Sequence, residues 1–281
     1  MIEWIEIFGD KISSLAELGQ KLSIHPLALE DCFHKDQRPK LDDFENHQFL
    51  VWFMIANGKI FELQFLIFPE LILFVTDDPP PEGENWRNFF GLGNEEKDVW
   101  HMLYHALDRA TDVTWGHVRE ILDELEEFEQ KIFHENFSPK SVLILKKRLS
   151  RIEFQIGHLP SVAKQIQNFY QPKSDLTWKL RDLYDHCEKI NRSVALHSSQ
   201  IGTVIELYWG HQADRTNRHI KKLSLLASVA VPMTFWASFW GMNFTAIPFS
   251  SPILFFFALG IMFFSVIITV WFLVKKGYWS D

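Results

Sequence analysis

A small set of polar side chains lies in a long apolar segment near the carboxyl end of the chain. From Leu223 to Val274 the sequence has no Asp, Glu, Lys, Arg or His, yet hydroxyl groups recur in it. Within a membrane such groups prefer a helix interface or a water-filled lumen to lipid. They predict assembly of several copies around an axis, because one helical hairpin encloses no pore. The hydroxyls of the first apolar stretch belong to Ser224, Ser228, Thr234 and Ser238, and Pro232 lies among them.

Enzyme chemistry has little support in the sequence. No nucleophile–base pair or metal-binding constellation is evident, so the chain is not expected to be an enzyme. His101 and His105 have the i, i+4 spacing of a helical metal site but no Glu beside the first histidine, and they are expected to be ordinary helix-surface residues. The run Gly91-Leu92-Gly93 is too short for a phosphate-binding loop, so no organic cofactor is expected.

Charge and cysteine content narrow the possible partners. The 281 residues include 28 basic and 36 acidic side chains, which gives a net charge of −8 with neutral histidines. This acidic balance argues against nucleic acid as the main partner. The two cysteines, Cys32 and Cys187, exclude a disulfide scaffold and a zinc site built from cysteines, and we expect them to stay reduced.

The uncharged segment is predicted to be a membrane hairpin. A bilayer core of about 30 Å needs roughly 20 apolar residues of helix, which residues 223–240 and 252–274 supply. Residues 241–251, rich in Gly, Pro, Asn and Ser, form an external loop without Lys or Arg. Because basic residues flank the spans instead, both termini, including a tail of residues 275–281, are expected on the cytosolic side of the cytoplasmic membrane.

The residues before the hairpin are predicted to form an α/β domain followed by long helices. Apolar runs predict four strands, and Asn57-Gly58 predicts a tight turn between two of them. The fold class is therefore an α+β domain over residues 1–100, a helical stalk domain over residues 101–222, and the hairpin. The strands are expected at residues 2–8, 49–56, 61–68 and 71–76, with short helices at 14–21 and 25–33.

One helix is predicted to continue from the stalk into the first membrane span. No proline occurs between Ser174 and Pro232, and apolar residues recur at a 4-3 spacing from Leu176 to Tyr208, with His197 as the exception. Such a heptad seam packs lengthwise against other helices. A helix of this kind can carry a signal from a cytosolic site to a membrane gate.

Three sequence blocks resemble the CorA family of magnesium and cobalt transporters. Gly241-Met242-Asn243 closes the first span and matches the defining triplet of that family. The blocks His25–Asp31 and Gln37–Lys40 resemble its cytosolic domain, and Arg181–His186 resembles the cytosolic end of its stalk helix. Because the blocks and the hairpin occur in the family's order, the chain is similar to this family over essentially its whole length.

The resemblance implies a funnel-shaped homopentamer whose stalk helices continue as pore-lining spans inside a ring of second spans. It also implies uptake of Mg²⁺, together with Co²⁺ and Ni²⁺, driven by the electrochemical gradient. Gly241, Met242 and Asn243 would form the selectivity entrance, where five Asn243 carbonyls hold a hydrated Mg²⁺. The residues implied to line and gate the pore are Asn217, Ile220, Leu223, Ala227, Val231, Thr234 and Ser238.

The resemblance further implies a regulatory metal site in the cytosol. It places Glu30 and Asp31 of one subunit against Asp182 on the stalk of the neighbouring subunit. Carboxylates are the hard oxygen ligands that Mg²⁺ prefers, and they repel one another unless a cation bridges them. Bound Mg²⁺ would therefore close the channel, and its loss would open the apolar constrictions at Leu223 and Val231.

Two departures from the family pattern leave the transported ion open. The loop from Phe244 to Ser251 lacks the acidic residue common there, and Trp240 stands where Tyr or Phe is usual. Together with the 12 histidines, the variant loop keeps a zinc transporter of the related ZntB group as an alternative. A membrane-anchored binding protein that transports nothing is a further alternative.

Overall fold

A computed structural model describes residues 2–9, 15–34, 37–93, 97–131, 138–170, 175–242 and 251–277 of the protein. The chain divides into two compact units, an amino-terminal unit of residues 1–207 and a carboxy-terminal unit of residues 208–281. The elements in chain order are β1 (Glu3–Phe8), α1 (Leu15–Lys21), α2 (Pro26–Phe33), β2 (Lys40–Asp43), β3 (Gln48–Ala56), β4 (Lys59–Ile67), β5 (Leu71–Thr76), α3 (Trp86–Phe89), α4 (Val99–Lys131), α5 (Pro139–Ile156), α6 (Leu159–Phe169), α7 (Asp175–Trp240) and α8 (Pro252–Lys275).

The five strands form one sheet in the order β1-β5-β4-β3-β2. β1 lies parallel to β5, and the other neighbours are antiparallel. The predicted turn between β3 and β4 is confirmed, because Asn57 and Gly58 both have positive φ, at 51° and 74°. Positive φ at both central residues is what a type I′ hairpin turn requires.

The sheet is covered by helices on both faces. One face packs with α1 and α2, and Leu15, Ala28 and Cys32 join strand residues in a single buried cluster. The opposite face packs against α4, where the Ile55 amide donates a hydrogen bond to Thr114 Oγ1 at 3.0 Å. Strands that are covered on both sides have continuously apolar sequences, whereas strands with one exposed face alternate apolar and polar residues. This is why β3 and β5 are apolar along nearly their whole length.

Two short elements and one break are not predicted by the sequence pattern. β2 is polar, and it exists because its backbone pairs with the edge of β3. The helix α3 is held by tertiary contacts of Trp86, which is fully buried, lies 5.3 Å from the Phe74 ring and donates to the Asp78 carbonyl. Gly157 and His158 separate α5 from α6. Local patterns carry no signal for such elements.

The long helix and its heptad seam are confirmed. α7 is continuous over 66 residues, and cation–π contacts join it to α4 through Lys179 over the Tyr104 ring and Lys189 over the Trp115 ring. His197 is half-buried, and its Nδ1 lies 2.7 Å from the carbonyl of Ser193. The buried seam consists of Leu176, Leu180, Leu183, Cys187, Ile190, Val194, Ile201 and Val204.

Candidate ion pathway and acidic regulatory residues

Two helices in the described part of the chain, α7 and α8, are long and apolar enough to cross a membrane. No residue in the apolar stretch of either helix is buried. In the described residues of α7 the buried positions end at Val204, and α8 has none. An uncovered apolar surface of this extent requires lipid or partner helices around it.

The residues implied to line the pore lie on one uncovered face of α7. With 100° of rotation per residue, these residues lie on nearly the opposite side of α7 from a second row of residues, which is partly covered in the single chain. A single helix cannot enclose an ion path. The residues of the uncovered row are all exposed, so the row is free to face other copies of the protein. The uncovered row is Asn217, Ile220, Leu223, Ala227, Val231, Thr234 and Ser238, and the partly covered row is Lys221, Leu225, Ser228, Pro232, Trp236 and Trp240.

Two hydroxyl groups of the first span donate hydrogen bonds within α7. Thr234 Oγ1 donates to the Ala230 carbonyl at 2.9 Å, and Ser228 Oγ donates to the Ser224 carbonyl at 2.7 Å. Each oxygen keeps acceptor capacity for a second hydrogen bond. Thr234 can therefore accept a hydrogen bond from a water molecule bound to a cation without leaving its own proton unpaired.

The first span ends at a glycine that the geometry favours. The Gly241 amide donates to the Ala237 carbonyl at 2.9 Å, and a Cβ added at Gly241 would lie 3.1 Å from that same oxygen. Met242 follows with its side chain 55% exposed. Asn243 and the loop up to residue 250 lie outside the described residues. The carbonyl ring of the selectivity entrance therefore stays a prediction.

At the other end of the span, a cavity of about 720 Å³ lies between α7 and α8. Asn217 and Ile220 of the uncovered row line it together with Leu273 of α8 and Lys276, the residue that follows α8. In the single chain, this end of the row therefore opens toward the second span.

Asp31 already has a cationic partner inside the chain. Its carboxylate lies 2.5 Å from Lys40 Nζ and accepts a hydrogen bond from the Gln37 amide at 3.1 Å. Burial alone would lower the pKa of Lys40, but its hydrogen bonds with Asp31 and Asp42 outweigh burial and raise it. A metal ion that binds Asp31 must either displace Lys40 or share the Asp31 carboxylate with it. Glu30, the preceding residue, is exposed.

Asp182 lies close enough to Asp108 of α4, an acid that the sequence patterns do not single out, to act on its carboxyl group. Burial and then the carboxylate of Asp112 raise the pKa of Asp108, and Asp182 adds to the shift. Burial, then Asp108 and Asp182, likewise raises the pKa of Tyr104 to about 12. Asp108 and Asp112 are spaced i, i+4 and therefore share one face of α4. This spacing points to a cluster with Asp182 only when it is known that α7 packs against that face.

The described residues of one chain contain no group of three His, Cys, Asp or Glu side chains arranged to hold a metal ion. Asp182 is instead 3.8 Å from His186 on its own helix. The interpretation of His101 as a surface residue is wrong. Its side chain is buried, with Nδ1 2.9 Å from Asp98 and Nε2 3.4 Å from Asp175, so it joins the start of α4 to the start of α7.

Known proteins are similar to this chain in both sequence and fold. The cobalt/magnesium transport protein CorA of Thermotoga maritima is 28% identical over 263 residues, which cover 87% of this chain and 74% of that protein. The complete structure of the CorA magnesium transporter from Methanocaldococcus jannaschii superposes with a TM-score of 0.80 at 19% identity, over 98% of this chain and 90% of that one. The full-length CmaX protein has a TM-score of 0.77 at 15% identity, over 97% and 87%.

The family profile extends over both units. The profile described as "CorA-like Mg2+ transporter protein" matches residues 1–276, which include the whole sheet, the stalk seam, the Gly-Met-Asn triplet and both candidate spans. The chain therefore belongs to the CorA family of Mg²⁺ transporter proteins.

Proposed function

We propose that five copies of this chain form a channel that takes up Mg²⁺, and with it Co²⁺ and Ni²⁺, across the cytoplasmic membrane. The match of the family profile to residues 1–276 carries this proposal, because it includes the cytosolic elements as well as the hairpin. Each part of the chain would have its own role: residues 1–100 would sense Mg²⁺, the stalk at 101–222 would transmit the signal, and the hairpin at 223–274 would conduct the ion. Residues 275–281 would form a cytosolic tail.

The two rows of α7 support assembly of several copies. The uncovered row contains polar and small residues as well as apolar ones, a composition that suits a partly hydrated lumen better than lipid. Five such rows around one axis would enclose a pore, while α8 would face the lipid with its exposed apolar side chains. The funnel shape and the pentamer come from the family and rest on no contact within the single chain.

Ion selection would occur at the outer mouth. Mg²⁺ dehydrates reluctantly, so an entrance that binds it through its waters needs neutral hydrogen-bond acceptors. Five Asn243 carbonyls meet that need, since an amide oxygen holds a hydrated cation without trapping it as a carboxylate would. Gly241 would fix the turn that presents them.

Passage down the pore would alternate between polar stops and apolar constrictions. Thr234 and Asn217 offer acceptors to a hydrated ion, and Leu223 and Val231 would gate by excluding water. The membrane potential supplies the driving force, since two charges crossing 100 mV gain about 4.6 kcal/mol, twice the single-charge figure.

Cytosolic Mg²⁺ would regulate the channel at the boundary between subunits. Glu30 and Asp31 of one copy would share an ion with Asp182 of the next, whose local field already includes Asp108. Lys40 would compete for Asp31 at low Mg²⁺, because it occupies that carboxylate in the single chain. Loss of the ion would loosen the interface, and α7 would pass the movement to Leu223 and Val231.

Flux into proteoliposomes tests the transport proposal. Purified protein should carry Mg²⁺ and Co²⁺ down a gradient, with Zn²⁺ as the third arm. A preference for Zn²⁺ would favour the alternative suggested by the 12 histidines. Failure to move any divalent ion under every gradient would favour a membrane-anchored binding protein.

Assembly and orientation are tested separately from flux. Native mass spectrometry should give five times the chain mass of 33.1 kDa, and another multiple would reject the pentamer. A cysteine placed at Ser250 should react with an impermeant reagent added outside the cell. Reaction only from the inside would reject the proposed cytosolic termini.

A further inference from the structure

Four aromatic rings stack in one column in the amino-terminal unit, apart from the predicted ion pathway. Successive ring centroids are 4.5, 5.2 and 5.1 Å apart, and the ring planes differ by 19°, 23° and 23°. The column joins the residue before α2 to the turn between β2 and β3 and the turn between β4 and β5. Two of the four rings are imidazoles, so the column can take up protons near neutral pH. In order, the rings belong to His25, Phe44, His47 and Phe68.

His47 is held as a neutral ring of one tautomer. The residue is 1% exposed, and its Nδ1 lies 2.6 Å from Asn46 Oδ1. The orientation of the Asn46 amide is fixed, because its Nδ2 donates to the Ser23 carbonyl at 2.9 Å. His47 Nδ1 must therefore carry the hydrogen. Nε2 is unprotonated in this tautomer, and it is buried without a hydrogen-bond partner among the described residues.

A second proton on His47 would be costly in the closed column. A hydrogen added at Nε2 would find no acceptor, and the charge would lie out of water. Cation–π attraction to the neighbouring phenyl rings would offset part of this cost. The cost is larger than the gain, because burial and then the positive charge of His25 lower the pKa of His47. The fold therefore favours the neutral ring.

His25 uses a ring nitrogen to cap α2. Its Nδ1 accepts a hydrogen bond from the Leu27 amide at 3.3 Å, which requires that Nδ1 carries no proton. A proton at that position would remove the cap and place a positive charge at the amino terminus of a helix, where the helix dipole favours negative charge. Protonation of either histidine thus acts against the contact between the column and α2.

The other charged groups near the column are in water. His25 is the ionisable group whose charge lowers the pKa of His47. Solvent screens charges on exposed side chains, so they offer little compensation to a buried imidazolium. The charged side chains at the adjoining ends of α1 and β2 and in the two turns are all exposed; they are Lys21, Asp43, Glu45 and Glu70.

We propose that this aromatic column is an acid-sensitive contact, which opens as the pH falls below about 6.5 and frees the first turn of α2 from the two turns. In the open state His47 is in water and binds a proton that the closed column disfavours. The closed column is therefore fully stable above that pH and loses stability below it. Since α2 also carries Glu30 and Asp31, acid would loosen the helix that holds the proposed regulatory carboxylates. Only that last consequence rests on the proposed function.

Hydrogen–deuterium exchange of the full-length protein in detergent, without divalent ions, tests the proposal. The Phe44 amide donates to the His47 carbonyl at 3.0 Å, so peptides that contain residues 42–47 report whether the column is closed. After correction for the intrinsic exchange rate, their exchange should be up to about tenfold faster at pH 5.5 than at pH 7.5, because one proton is bound about one unit below the ordinary pKa of histidine. The β3–β4 hairpin should not change.

His47→Phe keeps a ring in the column but cannot bind a proton, so the acceleration at pH 5.5 should disappear. His158→Phe makes the same change at an exposed position between α5 and α6 and should respond to acid as wild type does. In His25→Asn the side chain can still cap α2, but the charge beside His47 is gone, so the acceleration should be smaller than in wild type.

Several outcomes would overturn the proposal. These are no acceleration in wild type, equal acceleration in wild type and folded His47→Phe, and acceleration that extends equally over the β3–β4 hairpin, which would indicate acid unfolding of the whole unit. If His47→Phe does not fold, His25→Asn decides, and an undiminished acceleration in it would reject the proposal. Because exchange needs no ion gradient, a protein that failed every flux assay could still confirm the acid-sensitive contact.

Discussion

Ile144 of α5 and Ile267 of α8 are exposed to nearly the same degree, 61% and 62%, but they belong to surfaces of different kinds. Ile144 lies in the amino-terminal unit, where the large apolar side chains are mostly buried. Ile267 lies in a helix in which no described residue is buried and none is charged before Lys275. The two units thus require different solvents, water for the first and hydrocarbon or partner helices for the second.

The contrast extends to the chemistry proposed for each unit. The amino-terminal unit would bind ions with carboxylates, which attract a cation strongly and release it slowly. The carboxy-terminal unit would pass ions along neutral amide, hydroxyl and apolar groups, because a pore must bind weakly enough to conduct. Binding for regulation and binding for passage thus call for opposite ligand charges.

The largest expected effect concerns the neutral entrance. Asn243→Ala should reduce Mg²⁺ uptake in proteoliposomes to the background of empty vesicles while the protein still assembles. Each lost hydrogen bond to a charged species is worth about 1.5–3 kcal/mol, or tenfold and more. Ser251→Ala is the matched control, since the Ser251 side chain makes no capping hydrogen bond to α8. Uptake at the wild-type rate in Asn243→Ala would remove the carbonyl-ring mechanism.

The two isoleucines test the difference in solvent directly. Ile267→Lys places a charge in the proposed hydrocarbon layer at a cost of about 3 kcal/mol, and it should sharply lower the fraction of chain that resists extraction from membranes by alkaline carbonate. Ile144→Lys should change stability by about 0.5 kcal/mol or less. Equal sensitivity of the two sites would contradict the division of the chain into aqueous and membrane units.

Asp182→Lys tests the regulatory carboxylates. Mg²⁺ at ten times its dissociation constant should slow proteolysis of the wild type about tenfold if only the open form is cleaved. The variant carries its own tethered cation, so added Mg²⁺ should give no further protection. Glu206→Lys makes the same charge change at another exposed position of α7 and should behave as wild type. Equal protection of Asp182→Lys and wild type would reject this sensor.

A smaller effect should follow from removing the internal competitor at Asp31. In Lys40→Met the Asp31 carboxylate is free of its partly exposed ion pair, so Mg²⁺ should protect at a concentration about threefold lower, as expected for a pair worth roughly 0.5–1 kcal/mol. Lys146→Met, at an exposed site of α5, should leave the midpoint unchanged. An unaltered midpoint in Lys40→Met would mean that Asp31 is not a ligand.

The smallest effect concerns Asp108. Its pKa is raised in the folded protein by burial and by Asp112, so its ionised form destabilises the fold at neutral pH, and this penalty disappears as the pH falls through the raised pKa. Without Mg²⁺, Asp108→Asn should therefore melt about 2 °C higher than wild type at pH 7, with no difference in strong acid. Asp123→Asn, exposed on the same helix, should show no gain at either pH.

Periodicity and turn chemistry were sufficient to predict four of the five strands and the long helix. The strand expected at residues 71–76 is found at Leu71–Thr76, and the strands expected at 49–56 and 61–68 are found one or two residues away. These elements have a strong local pattern, and burial in the fold reinforces it. β2 and α3 have no such pattern, since pairing with β3 and the burial of Trp86 create them.

Less of the candidate site could be predicted from the sequence. The pore-lining row of α7 was expected from the resemblance to the family, and the helical period explains why its residues share one face. The ion pair of Asp31 with Lys40, the proximity of Asp108 to Asp182 and the burial of His101 depend on how separate elements pack. No local pattern contains that information.

The parallel pairing of β1 with β5 has a consequence for biosynthesis. β1 leaves the ribosome without its partner, because residues 71–76 of β5 are added later, so the sheet closes late relative to the synthesis of β1. It still closes early relative to the spans, because roughly 150 residues separate Thr76 from Leu223, an interval of about 7 to 30 s at typical translation rates. The sheet can thus be complete before the hairpin leaves the ribosome, and membrane insertion would act on a chain whose aqueous part has already begun to fold.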